Sequence, residues 1–176
     1  MELNVLRELR QPIGSVTIID LDERDLTVDH LDIDRLTGQA RLLRTDRGLL
    51  VKVESEGRAQ SRCSRCLTDV EIQIHVRFEE EYVPRIDPNT GAPVRLLASD
   101  AADVFRIGAD FMLDLHEAMR QYILMSEPAK PLCRADCAGL CPDCGAELNL
   151  GPCGCPPEGD ARWAPLAALR TRYEGS

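Results

Sequence analysis

The sequence predicts an α+β fold: an antiparallel β-sheet or partial barrel covered by one main helix, with zinc-bound cysteine knuckles and a short C-terminal helix. Three observations carry this. Extended runs of alternating apolar and polar residues recur up to about residue 83, a helical stripe follows near residue 119, and eight cysteines fall in pairs. The chain has 176 residues, room for one ordinary domain plus a small metal-held appendage. Aromatics make up 4%, so few large side chains are available to fill an interior, and something besides packing is expected to hold the chain together.

Ser15 to Ile19 is β-prone. It leads into an acidic stretch, Asp20 to Asp34, in which Asp20, Asp22, Glu23, Asp25, Asp29, Asp32 and Asp34 outnumber Arg24. That stretch reads first as a solvated edge or loop, and second as a docking face for a basic partner. Two extended runs, Leu36 to Arg44 and Gly48 to Arg58, flank Thr45-Asp46-Arg47-Gly48, whose Asp and Gly supply turn chemistry, so a β-hairpin is expected. The clearest strand is Asp69 to Val83, where Val70, Ile72, Ile74, Val76 and Phe78 point one way and Glu71, Gln73, His75 and Arg77 the other. Residues 84–103, with Pro84, Pro88, Asn89, Gly91 and Pro93, read as a long flexible loop.

Asp114 is placed to cap a helix running to about Met125, with Leu115, Ala118, Met119, Tyr122 and Ile123 on one face. This helix should cover the sheet. Pro128 and Pro131 end it and open a cysteine-rich segment from Cys133 to Cys155; Pro165 to Tyr173 reads as a short helical tail. The expected division is an α+β domain over residues 1–132 and a zinc-binding lobe with its tail over 133–176.

The formal charge of −9 repels phosphate backbones unless a local basic face overcomes it. The stretch from Met1 to Gly14 has no continuous apolar run, so no signal peptide or membrane helix is expected there and a cytoplasmic protein is predicted. Clustered thiols in the cytosol hold metals or do redox chemistry more often than they form disulfides.

Tetrahedral zinc takes four ligands, and a Cys-x-x-Cys turn supplies two of them with nearby amides aimed at the sulfurs. Cys141-Pro-Asp-Cys144-Gly145 is the strongest such knuckle, because Pro142 biases the turn and Gly145 permits positive φ after it. Cys153-Gly-Cys155 offers two more thiols a short loop later. Cys63-Ser-Arg-Cys66 cannot close a site alone, and Cys133 with Cys137 is the pair that remains, so these four are expected to meet. Two zinc ions follow, one of them tying the turn at Cys63 to the segment after the helix.

Redox chemistry would place a Cys-x-x-Cys at a helix start after a strand, whereas Cys66 precedes a strand. Catalytic zinc would need an open position, usually with His among its ligands, and His30, His75 and His116 are scattered. His116-Glu117-Ala-Met-Arg120 carries Arg where a zinc-protease helix needs its second His. His75 is most simply an exposed strand residue. No glycine-rich phosphate loop is present.

In their order along the chain, several motifs together resemble the YceD family, the large ribosomal RNA subunit accumulation proteins. They are Cys63-Ser-Arg-Cys66-Leu67; Leu113-Asp114-Leu115; Pro128 and Lys130-Pro131-Leu132-Cys133; Gly139-Leu140-Cys141-Pro142-Asp143-Cys144-Gly145 with Leu148-Asn149; Cys153-Gly-Cys155; and Arg162-Trp163-Ala164-Pro165-Leu166. The resemblance covers nearly the whole chain. It implies a non-enzymatic ribosome biogenesis factor that supports accumulation or processing of large-subunit (23S) ribosomal RNA and assembly of the large subunit. It also implies a protein partner, since genes of the family often lie beside that of a small zinc-binding large-subunit protein.

An acidic chain with few aromatics lacks the charge and stacking platforms of a single-stranded RNA binder. The expected partner is therefore a basic large-subunit ribosomal protein or a precursor particle, received at Asp20 to Asp34 or Glu79-Glu80-Glu81. The alternatives are a zinc-ribbon nucleic-acid-binding protein, favoured by a steep salt dependence of RNA binding, and a thiol redox protein, favoured by metal-free cycling of Cys63 and Cys66.

Overall fold

Alternation at every second residue lets a strand bury one face, and four long stretches of the chain do this. A computed structural model describes residues 1–96 and 104–155. The chain divides into two units, Met1–Ser64 with Thr68–Cys133, and Arg65–Leu67 with Arg134–Ser176. In the first unit the elements run β1 (Glu2–Asn4), α1 (Leu6–Leu9), β2 (Val16–Val28), β3 (Leu31–Arg44), β4 (Leu49–Arg62), β5 (Asp69–Pro84), β6 (Phe105–Ile107), β7 (Met112–Asp114) and α2 (His116–Ser126).

The main sheet has the order β2-β3-β4-β5-β6, and β1 pairs with β7 in a second, two-stranded sheet. Neighbours in the main sheet are antiparallel except β6, which lies parallel to β5. The sheet is therefore mixed and, among the described residues, open from edge β2 to edge β6, which corrects the antiparallel sheet or partial barrel expected from the sequence. Among the described residues there are two helices, the expected main helix α2 and, not expected, α1 of only four residues.

The hairpin at residues 45–48 forms where it was expected. Thr45 N donates to Gly48 O at 3.0 Å and Gly48 N to Thr45 Oγ1 at 3.0 Å. A side chain at Gly48 would meet Tyr82 O at 2.1 Å, so only glycine fits beside β5. On β5 the expected inward face is the observed one: Ile72, Ile74, Val76 and Phe78 are buried, Val70 is half-buried, and the polar residues between them are exposed.

The acidic stretch is not a loop. It forms most of β2 and the start of β3, joined in a hairpin at Val28–Leu31. Its alternation is hidden because the phase slips: Asp25 sits at φ +52°, and the β3–β4 register shifts between Ile33 and Arg35. Leu21 and Val28 on β2, like Ile33 and Leu36 on β3, are thus both buried although their parities differ.

Leu115, Ala118, Met119 and Ile123 are buried in the same core as the strands. The Tyr122 ring stacks on Phe78 of β5, with centroids 4.8 Å apart, and its hydroxyl donates to Glu80 at 2.7 Å. The Asp114 carboxylate accepts from His116 N at 2.8 Å, satisfying one of the amides left open at the helix start. After β5 the described part of the chain makes local turns. Asp87 Oδ1 accepts from the Asn89 and Thr90 amides at 2.9 and 2.7 Å, and Ile86 bridges Pro93. Residues 97–103 of that predicted loop, the predicted helix Pro165–Tyr173 and the motif at 162–166 lie outside the described residues.

Candidate metal centres

The two Cys-x-x-Cys segments fold into the same turn. Cys63 N donates to Thr68 O at 2.8 Å, and Cys141 N donates to Ala146 O at 2.8 Å, so each knuckle closes on the residue five positions on. In both, the residue after the second cysteine takes a left-handed conformation: Leu67 at φ +62° and Gly145 at φ +72°. Glycine does this without strain, and Gly145 N also donates back to Cys141 O at 2.9 Å.

The eight thiols gather in two groups. Cys63, Cys66, Cys133 and Cys137 form one, and Cys141, Cys144, Cys153 and Cys155 the other, with the sulfurs of each group within 4.8 Å of one another. Zinc bound at ~2.3 Å from four thiolates holds those sulfurs roughly 3.8 Å apart, so either group reaches a tetrahedral shell by small side-chain movements. Each group could hold a metal ion. Four sulfurs fill such a shell, leaving no position for substrate or water, as in structural rather than catalytic zinc sites.

Local chemistry favours thiolate in the second group. Backbone N–H groups of Cys144 and Asp143 point at the Cys141 sulfur and, with the neighbouring thiols, bring its pKa down to about 7. Hydrogen bonding to Cys144, together with burial, pushes Cys155 up to about 12, as expected when several thiols crowd together and one of them ionises first.

One contributor was not singled out in its own right from the sequence. Asn149 Nδ2 donates to the Cys137 sulfur at 3.3 Å, while its Oδ1 accepts from Ala138 N and Arg134 Nη2, each at 2.8 Å. A second layer of this kind orients a ligand and steadies its charge. Arg65 Nη1 donates to Cys137 O at 2.7 Å in the same unit. A single Asn carries no spacing signal, so nothing in the sequence marks its role.

No histidine joins either group. His30 meets Glu127 at 2.8 Å, and His75 lies exposed 4.0 Å from Glu56. The acidic residues expected to receive a partner are largely engaged internally. Asp22 takes both guanidinium contacts of Arg35 at 2.7 Å, Asp20 accepts from Gln39 at 3.0 Å, and Asp29 pairs with Arg120 at 2.8 Å. Glu81 lies 3.8 Å from Arg47. No helix among the described residues is long and apolar enough to cross a membrane.

Comparison with known proteins adds the family context. Residues 51–170 match the family model described as large ribosomal RNA subunit accumulation protein YceD. Uncharacterized proteins of Mycobacterium tuberculosis and Mycobacterium bovis are each 28% identical over 139 residues, covering 79% of this chain and 61% of theirs. One from Mycobacterium leprae is 30% identical over 110 residues, covering 62% of this chain and 47% of its own. The chain thus spans about three-fifths of the length of the first of these relatives or less. No solved structure matches it.

Proposed function

The chain belongs to the YceD family, and on that premise we propose that it is a non-enzymatic factor supporting large-subunit ribosomal RNA accumulation and large-subunit assembly in the cytoplasm. The observation that carries this reading is the family match over residues 51–170, a span that contains all eight cysteines. Two zinc ions, one per cysteine group, serve as structural ties. Closed four-sulfur donor sets suit that role.

The partner proposed is protein rather than bare RNA: a basic large-subunit ribosomal protein or a precursor particle that presents one. A chain of charge −9 attracts such surfaces and is repelled by exposed phosphate. Depleting the protein and measuring the ratio of large- to small-subunit ribosomal RNA tests the role directly. A fall in that ratio, restored by the wild-type chain but not by a Cys141→Ser Cys144→Ser variant, is expected. An unchanged ratio on depletion would end the proposal.

A further inference from the structure

We propose that the free edge of β2 between Val16 and Asp22 accepts an extended, basic polypeptide segment as an added strand. This rests on the reading above that the partner is a basic protein, and it names where and how that partner is held.

The phase of the ladder shows which groups are available. Arg44 N donates to Ser15 O at 2.8 Å, so the alternation of an antiparallel pair turns the backbone of Thr17, Ile19 and Leu21 toward β3. Val16, Ile18, Asp20 and Asp22 turn theirs away from it. Among the described residues β2 pairs only with β3, and this stretch contains no Lys or Pro of the kind that blunts natural sheet edges. The straight run ends at Asp25, whose φ of +52° departs from extended backbone.

The side chains along this edge point to the occupant. Ile13, Val16 and Ile18 are 68%, 41% and 60% exposed, an unusual concentration of open apolar surface beside an unpaired strand. Beyond them Asp20, Asp22, Glu23 and Asp25 outnumber Arg24. A second copy pairing antiparallel about Ile19 would set Asp22 opposite Val16 and Asp20 opposite Ile18, carboxylate against apolar side chain. A strand with apolar residues near Val16 and Ile18 and Lys or Arg near Asp20 and Asp22 instead meets apolar with apolar and acid with base, and joins exposed carboxylates already shared with Gln39 and Arg35. The acids thus act as a filter, discouraging self-pairing while favouring a basic strand.

The test uses the full chain with an eight-residue peptide in which every second residue runs Lys, Lys, Val, Val with Thr between them, so that Lys and Val share one face as Asp22, Asp20, Ile18 and Val16 do, read by residue-resolved amide exchange and by affinity. In the free protein the Ile18 and Asp20 amides should exchange quickly and those of Thr17 and Ile19 slowly. Peptide should slow Ile18 and Asp20 by about tenfold or more, the scale of a newly formed strand hydrogen bond. Ile18→Pro removes one outward N–H and no charge, and should weaken binding by about tenfold, while Ile18→Val should stay within about twofold.

Binding that leaves both amides fast, or that Ile18→Pro does not weaken, would reduce the contact to simple charge attraction and overturn the inference. Slow exchange at Ile18 and Asp20 in the free protein that tracks dimer formation would assign the edge to a second copy instead, with the same effect. Should Ile18→Pro fail to fold, the exchange pattern of the wild-type chain decides. Absence of large-subunit precursors from wild-type pull-downs counts against the assembly role alone, whereas their undiminished capture by folded Ile18→Pro counts against this edge alone.

Discussion

In the sheet unit the buried side chains are mostly aliphatic and aromatic and come from all four long strands and α2 among others; in the described part of the cysteine-rich unit they are chiefly sulfur. Among residues 65–67 and 134–155 the buried positions are Cys66, Cys137 and Cys141, with Gly139 beside them. In the first unit burial of apolar surface works against the entropy of ordering the backbone. The described part of the second buries little such surface, and bonds from its thiols to a metal would supply what packing does not, as in a small metal-held module.

The largest expected effect tests that contrast directly. Treating the reduced protein with a strong chelator should release two zinc ions and erase amide protection over residues 134–155, while β3, β4 and β5 keep theirs; hydrogen exchange with metal analysis reads both. Apparent zinc-binding energies in such sites reach ~10–16 kcal/mol, so the loss should be complete rather than graded. Protection that persists after the metal has left would mean that the two regions are held alike. Next in size, Ile74→Ala in the sheet, where the side chain is fully buried, should cost about 2–5 kcal/mol in denaturant unfolding and leave metal content unchanged.

The two knuckles sharpen the comparison at smaller scale. Gly145→Leu places a side chain at φ +72° and should cost roughly 1–2 kcal/mol, seen as weaker zinc retention in chelator competition. Leu67→Gly makes the opposite change. Leu67 is 60% exposed and held at φ +62°, so little packing is lost, and stability should rise by at most about 1 kcal/mol because glycine also loosens the unfolded chain. A destabilised Leu67→Gly would show that the leucine has a contact worth more than its strain.

The smallest effect concerns acid. Hydrogen bonding to Arg35 holds the Asp22 carboxyl below its ordinary value of 3.8. A depressed folded value contributes stability that is present above that ordinary value and lost as pH falls through the lowered one. Asp22→Asn should therefore lower stability slightly at neutral pH, the effect being small because the pair is solvent-exposed, and the difference from wild type should vanish as pH falls through the lowered value, as denaturant unfolding across pH would read.

Much of this was legible in the residues. The hairpin at Thr45 to Gly48, the strand from Asp69 and the helix after Asp114 each carry a regular period and a local turn or cap, and local rules suffice for them. The strands across Asp20 to Asp34 were not legible, because a slip of one residue at Asp25 and Asp34 breaks the period and the carboxylates mask the leucines between them. The parallel strand Phe105–Ile107 is only three residues long and is defined by its neighbour Tyr82–Pro84, so no local pattern could reveal it. Asn149 was legible only as part of the Leu148-Asn149 motif and not by its role, which exists only where Cys137 lies within reach.

The sequence by itself determined the alternating faces of β4 and β5, the positions of both Cys-x-x-Cys turns and an acidic surface, because each depends on residues a few positions apart. Only the tertiary structure decided that, among the described residues, the sheet stays open, β6 joins it in parallel and β2 is left with one unpaired edge. Those outcomes depend on which distant stretches meet, and period and spacing act along the chain rather than across it.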